Sequence, residues 1–264
     1  MNEVNTLINL LNKKEGLTAM LAPSFPIVYQ YPTIITMLKK LGFSYVVEVS
    51  AGAKKTNEEL VEDLKKDPNS RFITTPCPTI VHTIKKQYPH LVKYLPKNVD
   101  SPMVATAKIV LEKFPGYRPV FIGPCIAKKL EAIEDYPQLN ILVLTYKEMD
   151  EVFKHFGIQT ETNNEDKFDL SEEGMTRLYP TDGGLAHSSG LTSTFSEKEL
   201  MIVSKWENCQ KALDQFENNK EIRLLDILFC DGGCIGGPGI VSNLPQEERK
   251  RRVFEFWLKG IYQQ

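Results

Sequence analysis

Pro119-Val120-Phe121-Ile122-Gly123-Pro124-Cys125 begins as an apolar, β-branched run and ends on a Gly-Pro turn that presents a cysteine. From Ile126 to Ile133 the apolar spacing turns helical, so the pattern is strand, turn, helix. The same pattern occurs upstream. Arg71-Phe72-Ile73-Thr74 leads into Pro76-Cys77-Pro78, after which Ile80, Ile84, Tyr88, Leu91 and Leu95 recur at helical spacing. A third apolar run, 224–229, delivers Cys230-Asp231-Gly232-Gly233-Cys234-Ile235-Gly236-Gly237-Pro238-Gly239. Further strands are expected over 45–49 and 140–144. Alternating strands and helices indicate an α/β fold with largely parallel sheet, in which ligands bind beyond the carboxyl ends of the strands. Four thiols from three segments therefore converge on one cleft.

The rest of the chain frames that cleft. A helix is expected over 3–19 from the spacing of Leu7, Leu10 and Leu11, then a Pro23/Pro26 loop, then a helix over 33–41 closed by Gly42. Thr56 and Glu59 stand at capping-box spacing at the head of another helix. A helix is expected over 147–156, a polar surface excursion over 160–173, a turn at 181–184 and a helix-loop-helix over 195–216. The closing amphipathic helix, 246–262, carries Arg249-Lys250-Arg251-Arg252, read as a solvated face beside Glu247 and Glu248.

Composition sets the outer bounds. The chain has 264 residues, 42% hydrophobic and 25% charged, with a formal net charge of -2. That is ordinary for a globular protein and gives no electrostatic case for nucleic acid or an anionic membrane. Residues 1–5 do not read as a secretory leader, and no apolar run approaches membrane-spanning length, so a cytoplasmic protein is expected. Five cysteines in that setting point to buried thiols, catalysis or metal binding rather than a disulfide framework. Four match the thiolates of a [4Fe-4S] cubane. Zinc is the rival, although Cys77 and Cys125 lack the close partner that zinc sites usually have.

Thr75-Pro76-Cys77-Pro78, Gly123-Pro124-Cys125-Ile126-Ala127-Lys128 and Cys230-Asp231-Gly232-Gly233-Cys234 stand in the order and chemistry of three signature segments. Together they resemble the iron-only, or [FeFe], hydrogenase catalytic domain. Ala22-Pro23-Ser24, Glu58-Glu59 and Ser101-Pro102 extend the likeness through most of the chain. The resemblance implies two lobes over residues 1–264, each a small twisted sheet flanked by helices, with an H-cluster in the cleft between them and no ferredoxin-type accessory domain. A cubane would sit on Cys77, Cys125, Cys230 and Cys234. Cys234 would bridge to a diiron subcluster carrying CO, cyanide and dithiolate ligands. Lys128 would contact a cyanide, and Pro23, Ser24, Gly183 and Gly233 would line the cofactor. Glu59, Glu62 and Ser101 would match outer positions of a proton route.

The chain also departs from the family pattern. Pro76 stands where a proton-relay cysteine is usual, and Gly123 where a methionine is usual. Both changes resemble the family's sensory branch. The expected reaction is reversible reduction of two protons to H2, slow or serving hydrogen sensing, with electrons from ferredoxin or a partner subunit. The alternative is a non-catalytic [4Fe-4S] protein of electron transfer, cluster assembly or redox sensing, without the diiron unit.

Overall fold

The computed structural model describes residues 2–172 and 174–262. Helix α1 (Glu3–Asn12) is capped by the Asn2 side chain, which accepts from the Asn5 N–H at 2.9 Å, and it buries Leu7 and Leu10. It ends well before residue 19. Lys14 takes φ +54, and the chain enters strand β1 (Leu17–Leu21) instead of continuing the expected helix. Every β1 residue is buried, as in a parallel strand covered on both faces, so the run has no alternation to reveal it.

Helix α2 (Thr33–Leu41) stops, as expected, on Gly42 with φ +117. Strand β2 (Tyr45–Glu48) feeds almost directly into α3 (Ser50–Lys66), which begins before the capping box read at Thr56. Thr56 is interior to that helix. Its hydroxyl reaches back to the Gly52 carbonyl at 3.0 Å and across to the Asp100 carbonyl at 2.9 Å, a use of threonine that spacing cannot distinguish from a cap.

Strand β3 (Phe72–Ile73) and helix α4 (Pro78–Gln87) follow. Helix α5 (Pro102–Lys113), which the periodicity does not announce, starts from Ser101 and crosses α3 at very close range. A Cβ on Gly52 would stand 2.2 Å from Thr106 Oγ1, so glycine is required at that crossing. Strand β4 (Arg118–Gly123), the short helix α6 (Ala127–Leu130) and a π turn (Glu131–Asp135) realise the opening strand-turn-helix pattern. Strand β5 (Leu142–Thr145) then enters α7 (Tyr146–His155) through a reciprocal Thr145/Glu148 capping box.

The 160–172 segment is more than a surface excursion. Phe168 is buried, the Asp169 N–H donates to the Val46 carbonyl, and the Glu48 N–H donates to the Leu170 carbonyl. These bonds cover the edge of β2, where unpaired backbone would otherwise face solvent. After α8 (Gly184–Ser188) and α9 (Leu191–Thr194) comes strand β6 (Leu200–Ser204), where a helix was expected. It is an edge strand whose Leu-Met-Ile-Val run stays half-exposed, and Lys205, φ +72, turns it sharply into α10 (Trp206–Phe216). Strand β7 (Leu224–Leu228) and helix α11 (Gln246–Tyr262) complete the chain.

The strands form two sheets, ordered β2-β1-β4-β5 and β3-β7-β6, with every pairing parallel. The fold is α/β, two small parallel sheets flanked by helices. Two buried carboxylates tie loops to the sheets. Glu48, at the end of β2, receives Arg177 Nε at 2.9 Å and Nη2 at 2.9 Å, while that guanidinium lies 4.1 Å from the Phe256 ring centroid of α11. Asp226, inside β7, accepts from the Ala186 N–H at 3.1 Å and from the Thr74 hydroxyl at 3.4 Å. Burial, opposed by those two bonds, pushes the Asp226 carboxyl up to about 6.

Breaking the Glu48–Arg177 pair by Glu48→Ala should destabilise the fold by about 1–3 kcal/mol, because it removes a buried carboxylate that accepts from Arg177 Nε and Nη2. A Glu48→Leu/Arg177→Met double variant should cost less than either single change in urea unfolding; a larger cost would contradict the burial argument. Asp226 is neutral-favouring in the fold, so its contribution is complete below the unfolded value near 4 and is lost as pH rises through about 6. Asp226→Asn should remove up to about 3 kcal/mol of that pH-dependent loss. Unfolding midpoints measured from pH 4 to pH 8 check this.

Candidate metal centre

Each candidate thiol is delivered by a strand. Cys77 follows β3 and occupies the N-cap position of α4, with Pro78 as the first helical residue. Cys125 follows β4 by one proline and precedes α6. Cys230 follows β7, and Cys234 opens a 3₁₀ turn, Cys234–Gly236. The first sheet thus contributes one sulfur and the second sheet three, all from carboxyl ends.

The glycine loop is pinned by backbone bonds on several sides. The Asp182 N–H donates to the Gly232 carbonyl at 3.1 Å, the Ile235 N–H to Pro180 at 3.1 Å, and the Gly239 N–H to Pro124 at 2.8 Å. Gly233, φ +94, is pressed so close to the 180–182 turn that a Cβ would meet the Pro180 carbonyl oxygen at 2.6 Å. Glycine here serves backbone approach, as its place in the sequence suggests. Arg249 has an unforeseen part. It is not a solvated charge: its guanidinium donates to the carbonyls of Leu244 at 2.9 Å, Ser242 at 2.7 Å and Ile235 at 3.1 Å, fastening the loop to α11. Only the tertiary course of the loop makes that role visible.

The four sulfurs sense one another. Burial, then the charge of Cys77, pushes the Cys125 thiol up to about 11, against the opposing pull of Lys128. Cys230 is pushed up to about 12 by burial and then by Cys77, Cys125 and Cys209, and Cys234 is raised by burial and by Cys125, Cys77 and Cys230. Among the described residues, no three His, Cys, Asp or Glu side chains close in tightly enough for a single metal ion. Cys209 stays apart from the set in its bonding, donating to the Leu228 carbonyl at 3.3 Å from the core of α10.

Beside Cys234 and Cys125 lies a cavity of about 70 Å³. Its walls are mainly apolar, and its lining includes Lys128, Pro23, Ser24 and Pro76, all named from the sequence. Lys128 is buried, with side-chain exposure of 8%, and donates to Glu131 Oε2 at 2.6 Å and to the Pro76 carbonyl at 3.1 Å. Ser24 is less available. Tyr146 O–H donates to the Ala22 carbonyl at 3.0 Å, which leaves the Ser24 proton to bond the Tyr146 oxygen at 2.7 Å. Helices α3, α4 and α5 all begin at this rim, since Ala53, Pro76 and Met103 line it, and their positive ends favour an anion inside.

Two wall residues escape sequence reading. Phe121 lays its ring against Gly123, so that a Cβ there would stand 2.6 Å from the ring edge; the ring takes the room of the missing side chain. Tyr179 forms part of the opposite wall. The outer candidates are dispersed. Glu59 accepts from the Asp100 N–H at 3.1 Å, and its carboxyl is raised, chiefly by desolvation. Glu62 is 67% exposed and pairs with Lys66 at 3.1 Å. Ser101 is buried at the N-cap of α5, and Gly183, φ +73, sits at the head of α8.

With this geometry in hand, similarity to known proteins can be weighed. The chain is 23% identical to the probable cytosolic Fe-S cluster assembly factor oxy-4 of Caenorhabditis elegans, over 87% of this chain and 62% of that one. It is 25% identical to the cytosolic Fe-S cluster assembly factor NAR1 of Encephalitozoon cuniculi, over 76% and 60%. It is 22% identical to iron hydrogenase 1 of Clostridium pasteurianum, over 88% and 49%. The chain therefore spans about half to three-fifths of these relatives' length. A solved structure of a variant of [FeFe]-hydrogenase HydA1 from Chlamydomonas reinhardtii superposes with a TM-score of 0.74 at 18% identity, covering 97% of this chain and 88% of that one. The model of the family described as iron only hydrogenase large subunit, C-terminal domain, matches residues 17–238, and the chain belongs to that family.

Proposed function

We propose that this is an iron-sulfur protein in which Cys77, Cys125, Cys230 and Cys234 hold a [4Fe-4S] cubane, and that the cavity beside Cys234 receives an anionic diiron unit with CO, cyanide and dithiolate ligands. One observation carries the reading. Cys125 and Cys234 line an apolar cavity whose one lysine or arginine, among the described residues, is Lys128, and Cys77 and Cys230 lie near enough to raise the Cys234 thiol. The donor set suits the group: four thiolates are the ligands that iron-sulfur clusters take. Helix N-termini and an ammonium favour negative charge in the cavity.

When bound, such a unit supplies the redox chemistry that interconverts protons and H2. The chain's own residues do the rest. Glu131 and the Pro76 carbonyl fix the direction of Lys128, leaving a further N–H for an anionic ligand. Pro23 and Ser24 line the cavity, whereas Gly183 and Gly233 stand outside its lining and are carried as cofactor-lining positions by family likeness alone. Pro76 has no side-chain proton to give, which supports slow turnover or hydrogen sensing. Glu59, Glu62 and Ser101 are carried in this reading as outer proton-route positions by family likeness. Ferredoxin or a partner subunit would exchange electrons in the cytoplasm, without nucleic acid or membrane, and residues 1–264 would act as one H-cluster-type unit.

A second reading rests on the same cubane with no diiron unit: a non-catalytic protein of electron transfer, redox sensing or cluster assembly. The apolar cavity, Pro76 and the two similar proteins named as cytosolic Fe-S cluster assembly factors favour it. The two diverge in the infrared. Protein matured with a diiron cofactor should show metal-bound CO and cyanide bands under the first reading; cubane signals alone, with no hydrogen made or split, would establish the second. For either, Cys230→Ala should lose most of its iron, whereas Cys209→Ala should keep wild-type iron content. Equal loss in both, measured by iron and sulfide analysis, would overturn the ligand set.

A further inference from the structure

The cavity beside Cys234 is lined mainly by apolar side chains, and its one lysine, among the described residues, bonds away from it. Lys128 meets Glu131 at 2.6 Å, and both side chains are nearly buried, at 8% and 7% exposure. Glu131 does not line that cavity. It lines a second one, of about 310 Å³, together with Asp135, Tyr136, Thr75 and Lys85. The Lys128–Glu131 pair thus stands between an apolar chamber and a more polar one.

The backbone explains how. Glu131 and Asp135 bound the π turn, in which the Tyr136 N–H donates to the Glu131 carbonyl at 3.1 Å. Widened turns of this kind re-aim side chains and are frequent at functional sites. Both carboxylates face the second cavity. Asp135 is partly exposed and bonds His82 Nε2 at 3.0 Å and Lys85 Nζ at 3.3 Å, while the Tyr136 hydroxyl donates to Asp100 Oδ1 at 3.3 Å. A series of proton-bearing groups therefore runs from the surface to the chamber wall. On the other approach Pro76 bears none, the Ser24 proton is engaged by Tyr146, and Glu59 is turned to the Asp100 amide.

We propose that protons reach the chamber through this wall: from His82 and Asp135, across water in the second cavity, to Glu131 and on through Lys128. Each transfer balances. A proton arriving at Asp135 passes to the Glu131 carboxylate; as Lys128 hands one proton to an acceptor in the chamber, Glu131 returns one to it. Lys128 begins and ends as an ammonium, Glu131 as a carboxylate, and two passages supply the protons of one H2. The catalytic use of the route rests on the diiron reading above, whereas the route itself is a property of the chain.

The test separates the two. In protein carrying only its cubane, with lysines labelled by 15N at Nζ, solvent exchange of the Lys128 ammonium hydrogens is followed by NMR. Asp135→Asn and His82→Ala lie at the outer end and leave the buried pair intact, which wild-type iron content verifies. Each should slow exchange at least about tenfold, the scale of a lost acid-base group, and Glu131→Asp should retain part of the rate that Glu131→Gln loses. Wild-type exchange in both outer variants would overturn the route. So would slowing by Glu59→Gln with none by Asp135→Asn, which would place entry along α3. In diiron-loaded protein, proton reduction should fall in the same variants. If the wild type makes no hydrogen while the exchange results hold, the diiron reading fails and the route stands.

Discussion

The constraint on which this molecule turns is the cost of burying sulfur charge. Four thiols gather at one cleft, and burial together with the charge of neighbouring sulfurs raises the thiols of Cys125, Cys230 and Cys234. Only a group bringing compensating positive charge makes four thiolates tolerable there, because a buried unpaired charge is expensive and a metal is the usual remedy. The fold meets that need through position. Parallel strands from two sheets end at one place, and α3, α4 and α5 begin there, so partial positive charge from helix ends gathers around the sulfurs.

The chamber beside the cluster site shows the same economy in its walls. Phe121 occupies the space that a side chain at Gly123 would take, and Pro76 contributes a carbonyl to Lys128 while offering no proton of its own. The two substitutions act in one direction: they make the chamber more apolar and its polar equipment sparser. Lys128 and its partner Glu131 then account for most of the directed polarity next to Cys234.

What could be foreseen from residues alone follows from physics. The elements at Cys77, Cys125 and Cys230 were visible because a β-branched run, a turn residue and a change of apolar period fall together within a few positions. Strand β1 was not, since a strand buried on both faces shows no alternation and its Leu-Thr-Ala-Met-Leu composition suits a helix equally well. Strand β6 was legible as the apolar run Leu200-Met201-Ile202-Val203 but was overridden by a helix-loop-helix expectation laid across 195–216. The four candidate ligands stood out by type and spacing, but the roles of Arg249, Phe121 and the π turn depend on what the chain folds against. No spacing rule reports that Glu131 backs onto a second cavity.

The convergence of strand ends has a topological consequence. A cluster on these sulfurs would cross-link the chain at positions 77, 125 and 230, closing two long loops that otherwise meet only through packing. In the chain-entropy view each closure would remove on the order of 4 kcal/mol of unfolded-state freedom. Strand β3, only Phe72–Ile73, is the shortest member of its sheet and leads straight to Cys77. The cofactor would then act as a knot for the thinnest part of the weave, and the smaller sheet would owe its persistence as much to iron as to its own hydrogen bonds.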